Sequence, residues 1–274
     1  MNPEFFIHIG LHKTGTTFLQ RHVFPNWPSV HYIGKPYSAQ FVEPVLWDET
    51  ISTVLMSNEQ FSSPPIYPVL LDPALRKRPW FEQRKITLLR LKAIFPKAKV
   101  IVGVRTPAEF CESVYSQYIL RGGWASLEDF WRPNDYSGCL CLEDIDFDSL
   151  LTFVEGLWPG SFYFDHADLR SDPAKLLAKM ARFMGVDASP PVMEQEINAR
   201  LSESQVFAMR DFSEAQSRRD IDKKSFYRGL MEVKENTVGV VPFSFPESLR
   251  EEISDYTSSS WGRAKSRMNC GGGA

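Results

Sequence analysis

The sequence has little cysteine, no excess of either charge, no long apolar run and no internal repeat, and each shortage removes a class of protein. Four cysteines, Cys111, Cys139, Cys141 and Cys270, are too few and too irregularly spaced for a disulfide framework or a paired zinc motif, so a reducing compartment is expected. Thirty-one Lys and Arg stand against 34 Asp and Glu, a formal net charge of -3. No global positive field exists to hold a nucleic-acid backbone, and any anionic ligand must be met locally. No apolar run approaches the roughly 18 to 20 residues that cross a membrane, and the N-terminus lacks a basic region leading into a long apolar one. The expectation is a soluble, cytoplasmic chain with no leader, no nucleic acid and no membrane partner. Nothing in the composition sets an oligomeric state.

What the chain does have is material for a core. Of its 274 residues 43% are hydrophobic, enough for one large domain or two small ones. Short apolar runs at 5–9, 30–33, 53–56, 100–104 and 162–164 read as buried strands. Segments with helical spacing lie between them at 16–23, 81–95, 107–120, 147–158 and 173–184. Strands alternating with helices predict an α/β fold whose central parallel sheet is flanked by helices on both faces. Past residue 186 the strands stop and the sequence turns polar and helical. One domain over 1–274 is expected, an α/β core at 1–186 and a mainly helical C-terminal extension at 187–274. Between Gly123 and Asp146 an aromatic insertion carries Trp124, Phe130, Trp131 and Tyr136, which reads either as a packed surface excursion or as a lid or acceptor wall.

The first strand runs into Gly10-Leu11-His12-Lys13-Thr14-Gly15-Thr16-Thr17, and a helix follows. A glycine-framed turn from strand to helix aims backbone N–H groups inward at a helix N-terminus, which suits a phosphate. In the nucleoside-triphosphatase loop the lysine follows the second glycine; here that place is Thr16, and the lysine stands three residues earlier. No predicted strand ends in the usual metal-binding aspartate, since the third ends Ser57-Asn58-Glu59 and the fourth ends at Arg105. A cation at the loop apex and hydroxyls at its base fit a short anionic group better than a magnesium triphosphate.

The segment Lys13-Thr14-Gly15-Thr16-Thr17 resembles the 5'-phosphosulfate loop of the sulfotransferases that use 3'-phosphoadenosine 5'-phosphosulfate (PAPS). The resemblance implies a fold of the P-loop nucleotide-hydrolase type. It implies that Lys13, Thr14, Gly15, Thr16 and Thr17 bind the donor's 5'-phosphate and that Lys13 also contacts the transferring group. Thr106-Pro107-Ala108-Glu109 is a helix start, with Thr106 as N-cap, Pro107 at N1 and Glu109 placed to complete a capping box. Seven steps of about 100° return Ser113 to the face of the cap, so Arg105 and Ser113 can line one groove. Arg-x-Pro with a serine eight residues past the arginine is similar to the family's 3'-phosphate site, which implies that Arg105 and Ser113 hold that group. Residues 160–186 resemble the closing strand and helix of the family more loosely. The family's basic C-terminal donor-covering loop has only Arg228-Gly229 and Arg263 as candidates.

Sulfuryl transfer needs an acceptor stripped of its proton and a cation for the leaving oxygen. Lys13 is the cation. Glu59, at the strand edge where ligands of α/β folds collect, is one candidate base, and His12, beside Lys13, is another. His8 reads as a buried, satisfied histidine inside the strand, and no partner for His166 is evident. Cys139-Leu-Cys141 without a second cluster predicts no metal. The leading reading is a sulfotransferase moving a sulfuryl group from PAPS to a hydroxyl, a carbohydrate's included, or to an amine of a small-molecule or carbohydrate acceptor. The rivals are a P-loop small-metabolite kinase using ATP and magnesium, and a nucleotide-binding regulatory module without chemistry. The basic run Arg76-Lys77-Arg78 would border the acceptor site or be a solvated face.

Overall fold

A computed structural model describes residues 3–11, 13–34, 48–61, 80–135, 139–187, 200–217 and 222–270. His12, Tyr136 and the run at 76–78 lie outside the described residues. Five strands, β1 (Glu4–Gly10), β2 (His31–Ile33), β3 (Thr53–Asn58), β4 (Lys99–Val104) and β5 (Phe162–Asp165), form one sheet in the order β2-β3-β1-β4-β5. Every pairing is parallel, with Ile9 opposite Asn58 on one side and Gly10 opposite Gly103 on the other. The expected α/β sheet is therefore present, with all five strands where the apolar runs put them.

Apolar side chains cover both faces, because successive residues of a strand point to opposite sides. Ile7 and Ile9 join Val100, Val102 and Val104 in one core, together with α2 (Trp80–Ile94), α3 (Pro107–Leu120) and α4 (Phe147–Leu157). Phe6 faces the other way, with Leu55, Ile101 and Phe164, against Leu19, Val23 and the apolar side of α6 (Pro173–Met184). Between β5 and α6 lies the short α5 (His166–Ser171). Each fully buried Phe, Ile or Leu contributes about 1.5 to 3 kcal/mol, so two filled faces hold the strand ends in fixed register.

Two local expectations are corrected. The segment 16–23 is not a uniform α-helix: α1 (Thr16–Phe18) widens at once into a π-helical stretch, Leu19–Val23, a form that recurs at functional sites. The capping box at α3 is absent. Thr106 makes no side-chain cap hydrogen bond and its hydroxyl is buried without a partner, and the Glu109 carboxylate, the other half of the box, is drawn to arginines instead.

Beyond residue 187 the described chain is helical, in α7 (Glu203–Gln216), α8 (Lys223–Asn236) and α9 (Glu247–Cys270). α9 packs on α3, α4 and β5, and α7 on α3. Glu112 of α3, 3% exposed, accepts from Ser244 Oγ (2.8 Å) and from the Phe245 N–H (3.1 Å), with Arg250 Nε 3.2 Å away. The aromatic insertion is packed: Phe130 and Trp131 are buried, Phe130 lies edge-on to Tyr115, and Trp131 Nε1 donates to Glu252. Trp124 stays 41% exposed. Among the described residues no helix is long and apolar enough to cross a membrane.

Candidate active site

Parallel strands bring their carboxyl ends to one edge, and in the order β3-β1-β4-β5 they deliver Glu59, the turn at 10–15, Arg105 and His166. At about 4.8 Å per strand this row spans roughly 15 Å, the dimension of a nucleotide, at the edge where α/β sheets bind ligands.

The turn after β1 is tightly built. Lys13 has φ 68°, the one positive value at a non-glycine position among the described residues. An L side chain adopts that conformation at a cost of about 1 kcal/mol or more, which the surroundings must hold in place. Gly15 follows at φ 81°, and a Cβ there would collide with Leu169 of α5. A Cβ on Gly10 would lie 2.6 Å from Thr16 Cγ2. The hydroxyls of Thr14 and Thr16, both buried, donate to the Leu11 carbonyl at 2.8 and 3.3 Å. They therefore brace the turn from inside, leaving Thr17, half-buried, as the threonine with no such tie.

Three neighbours hold Lys13. Its Nζ donates to Gln117 Oε1 at 3.4 Å, and its carbonyl accepts from Arg105 Nη1 at 3.3 Å. Burial first, then the charge of Arg105, push its pKa down, while Glu59 pulls it back up. Glu59 acts on His8 in the same direction. The structure thus brings together Lys13, Glu59 and Arg105, the three charged groups singled out from strand ends. Ser113 is half-buried one helical turn before Gln117, on the side of α3 that reaches the turn.

Arg105 is 5% exposed and centres a charged cluster. Its Nε lies 3.1 Å from Glu109 Oε2, and the other oxygen of Glu109 lies 3.3 Å from Arg170 Nη2. Arg200 adds a third positive charge, felt by Arg105, Glu109 and His166. His166 rests beside Gly15, its Nδ1 buried and unpartnered. Burial and then Arg105 and Arg170 hold its pKa at about 4, so it is neutral at physiological pH.

His8 is buried as expected but only half satisfied. Nδ1 lies 2.8 Å from Ser57 Oγ, whereas Nε2 has no partner, and burial pushes the pKa down to about 3. Gln20, in the π-helical stretch, donates to both Ser57 Oγ and the Ser57 carbonyl (3.0 and 3.2 Å), tying the segment after the turn to the end of β3. Arg263 lies elsewhere. With Arg267 it pairs with Asp148 of α4, at 2.6 and 2.8 Å.

Sequence reasoning missed Gln117, His166, Arg170 and Arg200. The rule that found Glu59 and Arg105, a polar residue just past a strand, also marks His166. The spacing of four from Ser113 marks Gln117. Arg170 and Arg200 carry no such signal. Among the described residues no group of three or more His, Cys, Asp or Glu converges as a metal-ligand set.

The carboxyl edge of the parallel sheet thus presents a braced glycine turn, a half-buried lysine and an arginine cluster, on an α/β fold. A model of the sulfotransferase domain matches residues 3–258, and the chain belongs to that family. It is a transferase of sulfuryl groups. Two solved structures are similar to it: a sulfotransferase from Alicyclobacillus acidocaldarius, at 15% identity and TM-score 0.46 over 82% of this chain and 99% of that one, and the mouse sulfotransferase SULT7A1 complexed with PAP, at 17% identity and TM-score 0.46 over 99% and 88%. No curated protein sequence matches.

Proposed function

We propose that the chain, acting as one domain over residues 1–274, transfers a sulfuryl group from PAPS to a hydroxyl, a carbohydrate's included, or to an amine of a small-molecule acceptor. The observation that carries this reading is the hydrogen bond from Arg105 Nη1 to the Lys13 carbonyl, 3.3 Å long. It joins the glycine turn and the arginine cluster into one surface with two places for negative charge. A nucleotide phosphorylated at both 5' and 3' positions matches that pair.

The residues fit such a donor. The N–H groups of the turn at 13–17 would face the 5'-phosphate, and Arg105 with Ser113 would take the 3'-phosphate. Three arginines share the single carboxylate of Glu109, and the buried Thr106 hydroxyl and His166 Nδ1 have no protein partner. The donor supplies an activated sulfuryl group whose sulfur–oxygen bond to the phosphate breaks as the bond to the acceptor forms. Lys13 stabilises the charge left on the phosphate oxygen, and a base takes the acceptor's proton. Glu59 fills that role, since its charge acts directly on Lys13; His12 is the other residue for it. The kinase reading has less support. Asp165, the aspartate that does close a strand, spends Oδ1 on capping the Ala167 N–H at 2.9 Å.

The test offers labelled PAPS with a panel of sugars, alcohols and amines. Transfer is expected for the wild type, and Lys13→Ala lowers kcat about a hundredfold or more, as for removal of other groups aimed at developing charge. Transfer by Lys13→Ala at the wild-type rate would remove the lysine from the mechanism. Magnesium-dependent affinity for ATP with none for 3',5'-bisphosphoadenosine would replace the reading with the kinase.

A further inference from the structure

We propose that Glu109 is a positioning residue for donor binding: its carboxylate holds Arg105 and Arg170 side by side and so fixes the Arg105 guanidinium against the glycine turn. The inference rests on the donor reading above and concerns a residue that the sequence suggests only as a helix cap.

Geometry first separates Glu109 from that cap. At N3 of α3 it could reach back to the Thr106 N–H, and the Thr106 hydroxyl could reach the N3 N–H. Thr106 makes no such bond, and its hydroxyl is left buried and unpartnered. Both oxygens of Glu109 are turned to guanidinium groups on two different elements, Oε2 to Arg105 Nε at the end of β4 and Oε1 to Arg170 Nη2 on α5. A carboxylate between two arginines fixes direction as well as charge, because the guanidinium is planar and its N–H groups form a rigid fork.

The position of Arg105 explains why the tie matters. Its side chain is 6% exposed, so little water reaches it. Glu109 occupies the Nε edge and the Lys13 carbonyl occupies Nη1. Arg170 and Arg200 both repel it. Without the carboxylate, a desolvated guanidinium beside two like charges would gain by swinging toward water and away from the turn. The three cations exceed the one carboxylate among them by two charges, which leaves room for a dianionic phosphate group beside Glu109 rather than in its place.

The experiment titrates wild type, Glu109→Ala and Glu109→Gln with two probes that differ only by the 3'-phosphate, 3',5'-bisphosphoadenosine and adenosine 5'-phosphate, the weaker one by competition. Glu109→Ala is expected to bind the bisphosphate about tenfold more weakly and the monophosphate within about twofold of wild type. Glu109→Gln, which keeps the side-chain shape and one acceptor oxygen, shows the same selective loss at about threefold. It carries the test should the alanine variant not fold. A lost cap alone would not distinguish the two probes. Unchanged or tighter bisphosphate binding overturns the proposal, since Glu109 would then be a stand-in that the phosphate displaces. Equal loss of both probes overturns it as well, as damage to the turn. A wild type that binds no bisphosphate removes the donor reading and this proposal together, whereas a wild type that binds it beside indifferent variants removes this proposal alone.

Discussion

The carboxyl edge of the sheet and the latch that ties the C-terminal region to α3 and α4 both place buried acids or bases among charged partners, and they are built on opposite terms. At the latch each acid is met by donors: Glu112 by Ser244 and the Phe245 N–H, with Arg250 as its counter-ion, and Asp148 by Arg263 and Arg267. At the sheet edge positive groups gather against one another. Arg105 lowers the pKa of both Lys13 and His166, and Thr106 Oγ1, His166 Nδ1 and, just inside β1, His8 Nε2 are left unpartnered. Folding alone does not favour the second arrangement, since buried like charges and unsatisfied polar atoms each cost energy. The contrast separates charge used as scaffold from charge kept for a ligand. Unpartnered polar atoms also occur away from that edge, Arg250 Nε at the latch and Arg84 Nε and Nη2 in the core among them, and at Arg84 the ring of Trp80, 3.5 Å from its guanidinium carbon, faces the charge.

The largest expected effect would break the comparison from the scaffold side. Glu112→Ala strands a buried N–H and a hydroxyl and is expected to cost about 3 kcal/mol in chemical denaturation. Affinity for 3',5'-bisphosphoadenosine at a temperature where the variant is folded stays within about twofold of wild type. A variant of full stability that loses the ligand would place Glu112 in the site and erase the distinction.

The next effect lies inside β1, two residues short of the sheet edge, and depends on pH. The folded pKa of His8 is about 3, against 6.5 for the free side chain. As pH falls through 6.5 the unfolded chain takes up a proton and the folded chain does not, so stability present at neutral pH is lost progressively down to about pH 3. Between pH 7 and pH 5 this group alone accounts for about 2 kcal/mol. Denaturation of wild type and His8→Leu at both pH values measures it: the fall on acidification should be smaller by that amount in the variant. Equal falls would mean that His8 is protonated in the folded protein and that its orphaned nitrogen has found a partner.

Much of this architecture was legible from the chain because the signals were local. The run at 100–104 is apolar throughout, as a strand covered on both faces requires, and it forms β4. Thr106-Pro107 at one end and Gly122-Gly123 past the other bracket α3 to the residue. Glu59 and Arg105 could be read because a charged residue directly past a buried strand has nowhere to go but the ligand edge, and Lys13 because two glycines frame the turn that carries it. What could not be read was tertiary competition. Glu109 had a good local offer at the Thr106 backbone and a better distant one from Arg105 and Arg170, and no spacing rule ranks the two. The π-helical stretch escaped for the same reason: the pattern at 16–23 fits any helix, and the tie from Gln20 to Ser57 is made across the sheet.

The smallest expected effect tests the comparison within one kind of residue. Thr106 and Ser202 both occupy N-cap positions and both lie before long helices, one at the sheet edge and one in the C-terminal region. Ser202 Oγ accepts from the Gln205 N–H at 3.2 Å, and Gln205 Oε1 accepts from the Ser202 N–H at 3.0 Å, a complete capping box. Thr106 makes neither bond. Ser202→Ala should therefore cost about 1 kcal/mol, the usual worth of a working cap. Thr106→Ala should cost less than about 0.5 kcal/mol, and Thr106→Val, which exchanges an unpaired buried hydroxyl for a methyl group of the same shape, should be neutral or stabilising. If the hydroxyl is kept for the bound nucleotide, the same valine variant binds 3',5'-bisphosphoadenosine several-fold more weakly while gaining stability. The two effects then carry opposite signs, a pattern no structural cap produces. A loss of about 1 kcal/mol at Thr106 with unchanged ligand affinity would put it with Ser202, and the sheet edge would owe one of its orphaned groups to the helix after all.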